Sequence, residues 1–342
     1  MKQPWIHKAK TDSLFILSPP FIILAIVFFC QGWLHTLEEE YSFYTWLFFV
    51  VFIDVAHVYA TLFKTYLVSK AFQERKKLLI ALPIICFFIG MVLFMLGSKV
   101  FWVTLAYVAV FHFIRQQYGF MRLYSRYEPK TTLSVFMDNL VIYTATGYPM
   151  LYWFMSPPRN FTWFMKDEFF TYRNDALLNV AGYVYFVILG LYALKIGWVC
   201  FKTREFNIPK NAIIAGTVLS WYFGIVYFNN DLIFTMLNIV SHGIPYMALI
   251  YLKEIKQDKS EPAGLFYYLN TYKGIFIYAG ILILLAFSEE YLWEIMVWNE
   301  QFSITGAAVF ENWHFLLIPF LVVPQFTHYI LDGFIWKTKK VP

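Results

Sequence analysis

The sequence predicts an all-α, polytopic integral membrane bundle of about ten transmembrane crossings with cytoplasmic N and C termini. Three observations carry this prediction: a charge-poor composition, recurrent apolar runs of bilayer length, and a lopsided placement of basic residues. Of 342 residues, 60% are hydrophobic and 14% are charged, and the mean hydropathy is +0.55. A soluble domain carries about 25% charged residues. No polar stretch is long enough to fold by itself, so a single transmembrane domain is expected over 1–342.

A crossing helix needs about 20 mostly apolar residues. Ten segments qualify: 15–34, 45–68, 78–98, 100–121, 133–155, 176–200, 211–229, 232–252, 274–293 and 305–335. The basic stretch before the first is followed by an apolar run without a small-residue cleavage site, so a retained helix is expected there rather than a signal peptide. The last segment contains Pro319 and Pro324. Proline removes a backbone donor and clashes with the preceding turn, so this crossing should be kinked or broken.

Loop charges give the orientation. With the N-terminus inside, the cytoplasmic segments hold 22 Lys and Arg, and the outer loops hold only Lys99, Arg159, Lys166 and Arg173. The outer loops are acidic instead, as in "LEEE" at 37–40 and "SEEYLWE" at 288–294. That asymmetry is the positive-inside pattern, and the expected location is a bacterial cytoplasmic membrane. The net charge of +5 fits orientation in a bilayer better than recruitment of nucleic acid. Cys30, Cys86 and Cys200 show no CxxC spacing, which argues against a disulfide framework or a zinc knuckle. No internal repeat or lipidation motif is evident.

The histidines carry the chemistry. His7 and His35 fall at segment ends, whereas His57, His112, His242, His314 and His328 fall inside apolar segments. His57 lies seven residues before Lys64, His112 ten before Arg122, His242 eleven before Lys253 and His328 nine before Lys337. At about 1.5 Å per residue, these four sit roughly 10–17 Å above the cytoplasmic helix ends. His314 lies 14 residues before His328, further out.

Residues three or four apart share a helix face. By that rule Asp54 accompanies His57, Arg115 and Gln116 accompany His112, Asn238 accompanies His242, and Asp332 accompanies His328. Metal-bound imidazoles have this kind of neighbour, holding the second ring nitrogen. A lone buried histidine is usually a satisfied helix–helix contact. Four at one depth, two with nearby carboxylates, point instead to a shared site, because ionisable groups inside a membrane are costly. Imidazole donors suit Fe(II) or Zn, and no cysteine or methionine lies near them in sequence to argue for copper. "ENWH" at 311–314 matches the Glu-x-x-His of helical di-iron sites, but it occurs once and near the outer end, so Glu311 and His314 are expected in a structural or gating role.

The stretches "IDVAHVYATL", "AVFHFIRQQYGF", "NIVSHGIPYMALIY" and "VVPQFTHYILDGF" resemble, in order, the histidine segments of the Brp/Blh family of membrane-bound β-carotene 15,15′-dioxygenases. The resemblance covers about 45 residues. Departures include Asp54 lying before His57 and Gln325 standing where that family has the last histidine. The resemblance implies an iron centre held by His57, His112, His242 and His328 that cleaves a carotenoid with O2.

The expected function is therefore a histidine-ligated, non-haem Fe(II) oxygenase (Zn as the alternative metal) acting on a lipophilic substrate from the bilayer. Asp54, Asp332 and Arg115 would surround the ligands. The aromatic content of 22% would suit a substrate tunnel, but membrane helices pack aromatics anyway, so none is assigned to one. Two alternatives stay open: a proton-coupled transporter using Asp54, His57, Arg115, Asp138 and Asp332, and a b-haem protein with two axial histidines.

Overall fold

Apolar runs without a partner for their backbone can only lie in a bilayer as helices, and helices account for every element of the computed structural model among its described residues. These are residues 3–40, 42–156, 158–256, 264–300, 302 and 310–336. Residues 305–309 of the last expected crossing and the basic residues Lys2, Lys259, Lys337, Lys339 and Lys340 lie outside them.

The helices are α1 (Ala9–Leu17), α2 (Pro19–Phe29), α3 (Gln31–Glu40), α4 (Ser42–Lys64), α5 (Ser69–Met95), α6 (Ser98–Tyr124) and α7 (Thr132–Met155). There follow α8 (Asp175–Thr203), α9 (Ile208–Trp221, continued by a π-turn over Tyr222–Tyr227), α10 (Asp231–Ile255), α11 (Leu265–Leu269), α12 (Gly274–Trp298) and α13 (Glu311–Ile335). Among the described residues seven are long and apolar enough to cross a membrane: α4, α5, α6, α8, α10, α12 and α13, as in an integral membrane protein. Taking α1 and α2 as one broken span makes eight, where the sequence suggested ten.

The shortfall has local causes. The expected first crossing is divided by Pro19 and Pro20, which start α2 at 51° to α1, because proline suits the first turn of a helix. Helix α7 forms over the expected segment, but Asp138, Asn139 and its threonines dilute its apolar character. Lys210 and Asn211 do the same near the start of α9. The expected break in α13 falls at Val322, between Pro319 and Pro324. Helix α12 continues to Trp298 through the "SEEYLWE" stretch that the sequence assigned to an outer loop, and there Glu289 and Glu294 are buried.

The chain divides into two compact units. The first comprises 1–36 and 113–245. In it α8 packs along α7, while α9 lies against α7 and α2. Gly216 on α9 permits the last of these contacts, since a Cβ there would meet the Pro20 ring at 2.6 Å. Charges buried on these helices neutralise one another. Asp138 on α7, 2% exposed, accepts from Lys195 of α8 at 2.7 Å and Lys210 of α9 at 3.3 Å. Lys210 also meets Glu128 at 2.7 Å, whose other oxygen accepts from Asn207 at 2.7 Å. In the loop after α7, Glu168 accepts the backbone N–H groups of Trp163, Phe164 and Met165.

The second unit comprises 37–112 and 246–342. Helix α4 is flanked there by α12 and by the second half of α13, and both halves of α13 pack on α5. Gly274 closes the α11–α12 turn, where a Cβ would lie 1.8 Å from the Leu269 carbonyl oxygen.

Removing one partner of a buried ion pair leaves an uncompensated charge, at a cost of about 3–5 kcal/mol. Asp138→Ala, which strands both lysines, should destabilise the protein by about that much in denaturant titration, and it should leave the metal affinity unchanged.

Candidate metal centre

The backbone is irregular where three of the four histidine segments enter. Helix α4 is π-helical over Trp46–Val55 and returns to α-helix at Ala56, one residue before His57. Pro245 lies inside α10 three residues after His242, and the α13 break at Val322 precedes His328 by six. Such interruptions re-aim side chains that a regular helix would spread around its axis.

Three of the histidines meet within the second unit. His57, His112 and His328 are each at most 3% exposed. The His328 ring lies 5.0 Å from that of His57 and 4.6 Å from that of His112, and the last two are 6.4 Å apart. Their neighbours are also aromatic: Tyr246 stands 5.2 Å from His328, and Tyr329 lies 5.0 Å from His112.

His242 is fully buried, one turn before Tyr246 on the same helix. Its ring lies parallel to Phe113 at 3.5 Å, and Phe113 directly follows His112. Its backbone carbonyl accepts from Gln116 Nε2 at 2.8 Å. Within the second unit, His57, His112 and His328 form a buried group of imidazoles that could hold a metal ion, their ligand nitrogens within 4.8 Å of one another. Nitrogens bound to one ion at about 2.0–2.1 Å stand within about 4.2 Å of one another, so small rotations would bring these three onto one ion.

The donors fit a metal in chemistry as well as in spacing. His328 Nδ1 is hydrogen-bonded to Thr61 Oγ1 at 2.7 Å. Its Nε2 is buried and has no hydrogen-bond partner among the described residues. An unanswered buried polar atom costs about 1–3 kcal/mol, and coordination at that nitrogen would remove the cost.

The residues around the imidazoles differ from the same-face expectation. Asp54 Oδ1 does lie beside His57, 3.6 Å from Nδ1. Asp332, expected beside His328, instead brings Oδ2 to 3.9 Å from His112 Nδ1. It reaches His328 only through two hydroxyls, accepting from Tyr246 at 2.6 Å, with Tyr246 in turn 3.0 Å from Thr61. Asn238 donates to the Phe234 carbonyl, so its amide hydrogen serves its own helix.

Other sequence candidates lie elsewhere. Arg115 is exposed, donates to Tyr143 and covers the Tyr118 ring, because its long side chain turns outward from the helix that buries His112. His314 is half-buried with Nε2 3.0 Å from the Met296 carbonyl oxygen, and Glu311 is exposed. Neither belongs to the histidine group. His7 is bonded to Thr11, and the side chain of His35 lies outside the described residues. Sequence reasoning missed Thr61, Tyr246 and the pair formed by Tyr59 and Glu289, 2.5 Å apart. A signal was available, since Thr61 and Tyr246 follow His57 and His242 by four.

No known protein family, curated protein or solved structure matches the chain.

Single replacements of His57, His112 or His328 by alanine should weaken Co(II) binding by about 100-fold or more, as expected when a ligand itself is removed rather than its supporting neighbour. His314→Ala and Arg115→Ala should bind within about threefold of wild type. Chelator competition on metal-stripped protein in detergent measures both classes.

Proposed function

We propose that the chain is a membrane-embedded, histidine-ligated non-haem iron oxygenase acting on a lipophilic substrate, with His57, His112, His242 and His328 as the metal ligands. The observation that carries this reading is the Nε2 atom of His328, buried without a hydrogen bond among the described residues on a ring that stands 5.0 and 4.6 Å from those of His57 and His112. A structural histidine would engage both nitrogens in hydrogen bonds. Neutral nitrogen donors with no thiolate suit Fe(II), and Zn(II) next.

Ring spacing argues against haem. Two axial imidazoles need an open slab between them for the porphyrin, yet the His57 and His112 rings are 6.4 Å apart and His328 stands 5.0 and 4.6 Å from them. A transporter pathway through Asp138 is disfavoured too, because that carboxylate is held by two lysines.

All four ligands lie on helices able to cross a bilayer, which supports a substrate drawn from lipid. The ordered resemblance to the Brp/Blh carotenoid dioxygenases supports an olefinic one. Cleaving a carbon–carbon double bond into two carbonyls takes up both atoms of O2 and needs no external reductant. An iron held by these imidazoles would supply the O2 activation such a reaction requires. Asp54 and Asp332, 3.6 Å from His57 Nδ1 and 3.9 Å from His112 Nδ1, are carboxyl groups placed to orient those rings. Arg115, turned away, takes no part. The excess of basic residues in alternate loops supports a cytoplasmic-membrane protein with both termini inside.

Elemental analysis and an absorption spectrum of anaerobically purified protein provide the test. About one iron per chain without a haem band is the expected result. O2 uptake should then follow addition of a carotenoid or an unsaturated lipid and be lost in His112→Ala. Protein carrying no stoichiometric metal under anaerobic or aerobic conditions would overturn the proposal.

A further inference from the structure

We propose that Thr61 and Tyr246 are positioning residues that hold His328 as its Nδ1–H tautomer, leaving the Nε2 lone pair aimed into the histidine group. The assignment of the tautomer stands on hydrogen-bond geometry alone. Its use, presenting a ligand to a metal ion, rests on the function proposed above.

Protons can be counted along the chain of contacts. Tyr246 OH donates to Asp332 Oδ1 at 2.6 Å, and a phenol has one proton to give. In its contact with Thr61 at 3.0 Å, the tyrosine oxygen must therefore accept, and Thr61 must donate. A threonine hydroxyl also has one proton. In its contact with His328 Nδ1 at 2.7 Å, Thr61 must accept, and the imidazole nitrogen must carry the hydrogen. The result holds whether Asp332 is ionised or protonated at Oδ2, where Oδ1 accepts; a proton on Oδ1 would reverse every link, and the ring tautomer measured below distinguishes the two directions. A neutral ring protonated at Nδ1 has its lone pair at Nε2, the atom that is buried without a hydrogen bond.

Each link is buried or nearly so. Thr61 is 4% exposed, Tyr246 1% and His328 2%, which keeps water from offering the ring a different partner. Both hydroxyls sit on helices that carry ligands, Thr61 one turn after His57 and Tyr246 one turn after His242. A single relay thus ties α4, α10 and α13 to the orientation of one ring.

Metal-free protein labelled with [15N]histidine tests the tautomer directly. The His328 signal is assigned by its loss in His328→Gln. Wild type and Thr61→Ser should show Nδ1 protonated. Thr61→Val, which has no acceptor, and Tyr246→Phe, which frees the threonine proton to point at Nδ1, should shift the ring towards Nε2–H. An Nε2–H ring in wild type, or an unchanged signal in both Thr61→Val and Tyr246→Phe, overturns the proposal. Tyr246→Phe decides alone if Thr61→Val fails to fold.

Co(II) affinity is the second readout. Loss of the relay should weaken binding by about 10–100-fold, with Thr61→Ser staying near wild type. Wild type that shows the Nδ1–H ring yet binds no Co(II) would sink the metal reading and leave the tautomer assignment in place. Normal Co(II) binding with the opposite tautomer would sink this inference and spare the metal reading.

Discussion

An imidazole carried into an apolar bundle loses water from two nitrogens at once, and the surroundings of His328 follow from how each is treated. Leaving a polar group unanswered in such a medium costs on the order of a few kcal/mol. At Nδ1 the structure supplies Thr61, then Tyr246, then Asp332. At Nε2 it supplies nothing among the described residues. A sequence selected only for stability would satisfy both nitrogens or replace the ring with an apolar side chain. Two further buried imidazoles, His57 and His112, stand 5.0 and 4.6 Å from the same ring and make coordination the simplest account of the asymmetry.

Backbone irregularity is the means by which these rings are gathered. In a regular helix, successive turns commit side chains to fixed directions. The π-helical stretch before His57, the proline after His242 and the break before His328 each relax that commitment. The carbonyl of His242 accepts a side-chain hydrogen bond from Gln116, close to the point where Pro245 has no amide hydrogen to offer the preceding turn. Helix α6 is the exception, continuous from Ser98 to Tyr124. It places His112 and, one residue on, the Phe113 ring that stacks on His242. A straight helix among interrupted ones thereby fixes two of the imidazoles, one as its own residue and one by contact.

What the sequence made legible was which histidines to compare. Counting to the next basic residue assigned His57, His112, His242 and His328 to one layer, and three of them, His57, His112 and His328, do lie together. Direction around the helix axis was less legible. The i, i+4 rule gave Asp332 to His328, whereas the carboxylate lies beside His112. It gave Arg115 to His112, but a long charged side chain has enough freedom to turn away and does so. The rule was also applied to charged and amide side chains and not to hydroxyls, so it passed over Thr61 and Tyr246. Crossing number was legible only approximately, because the polar residues of α7 and the prolines between α1 and α2 shape a helix without lengthening its apolar run. The division into two units had little counterpart in composition, since its boundaries fall inside α3, α6 and α10, and only the first lies beside a polar stretch.

Burial of polar groups alone would not have singled out the histidines, because the first unit buries polar groups as thoroughly. Asp138 and Lys210 are each 2% exposed. Asp138, Glu128, Lys195 and Lys210 each face an opposite charge within 3.3 Å, and Asn207 takes up the remaining carboxylate oxygen of Glu128. Such a network is closed, and a ligand entering it would have to break an ion pair to gain one. The histidine group is open by the same test. Its outer hydrogen bonds are directed away from the ring that needs orienting, and an inward lone pair is left over. That difference, between buried polarity that is mutually satisfied and buried polarity with one valence kept back, separates a structural network from a binding site, and it is visible without any relative for comparison.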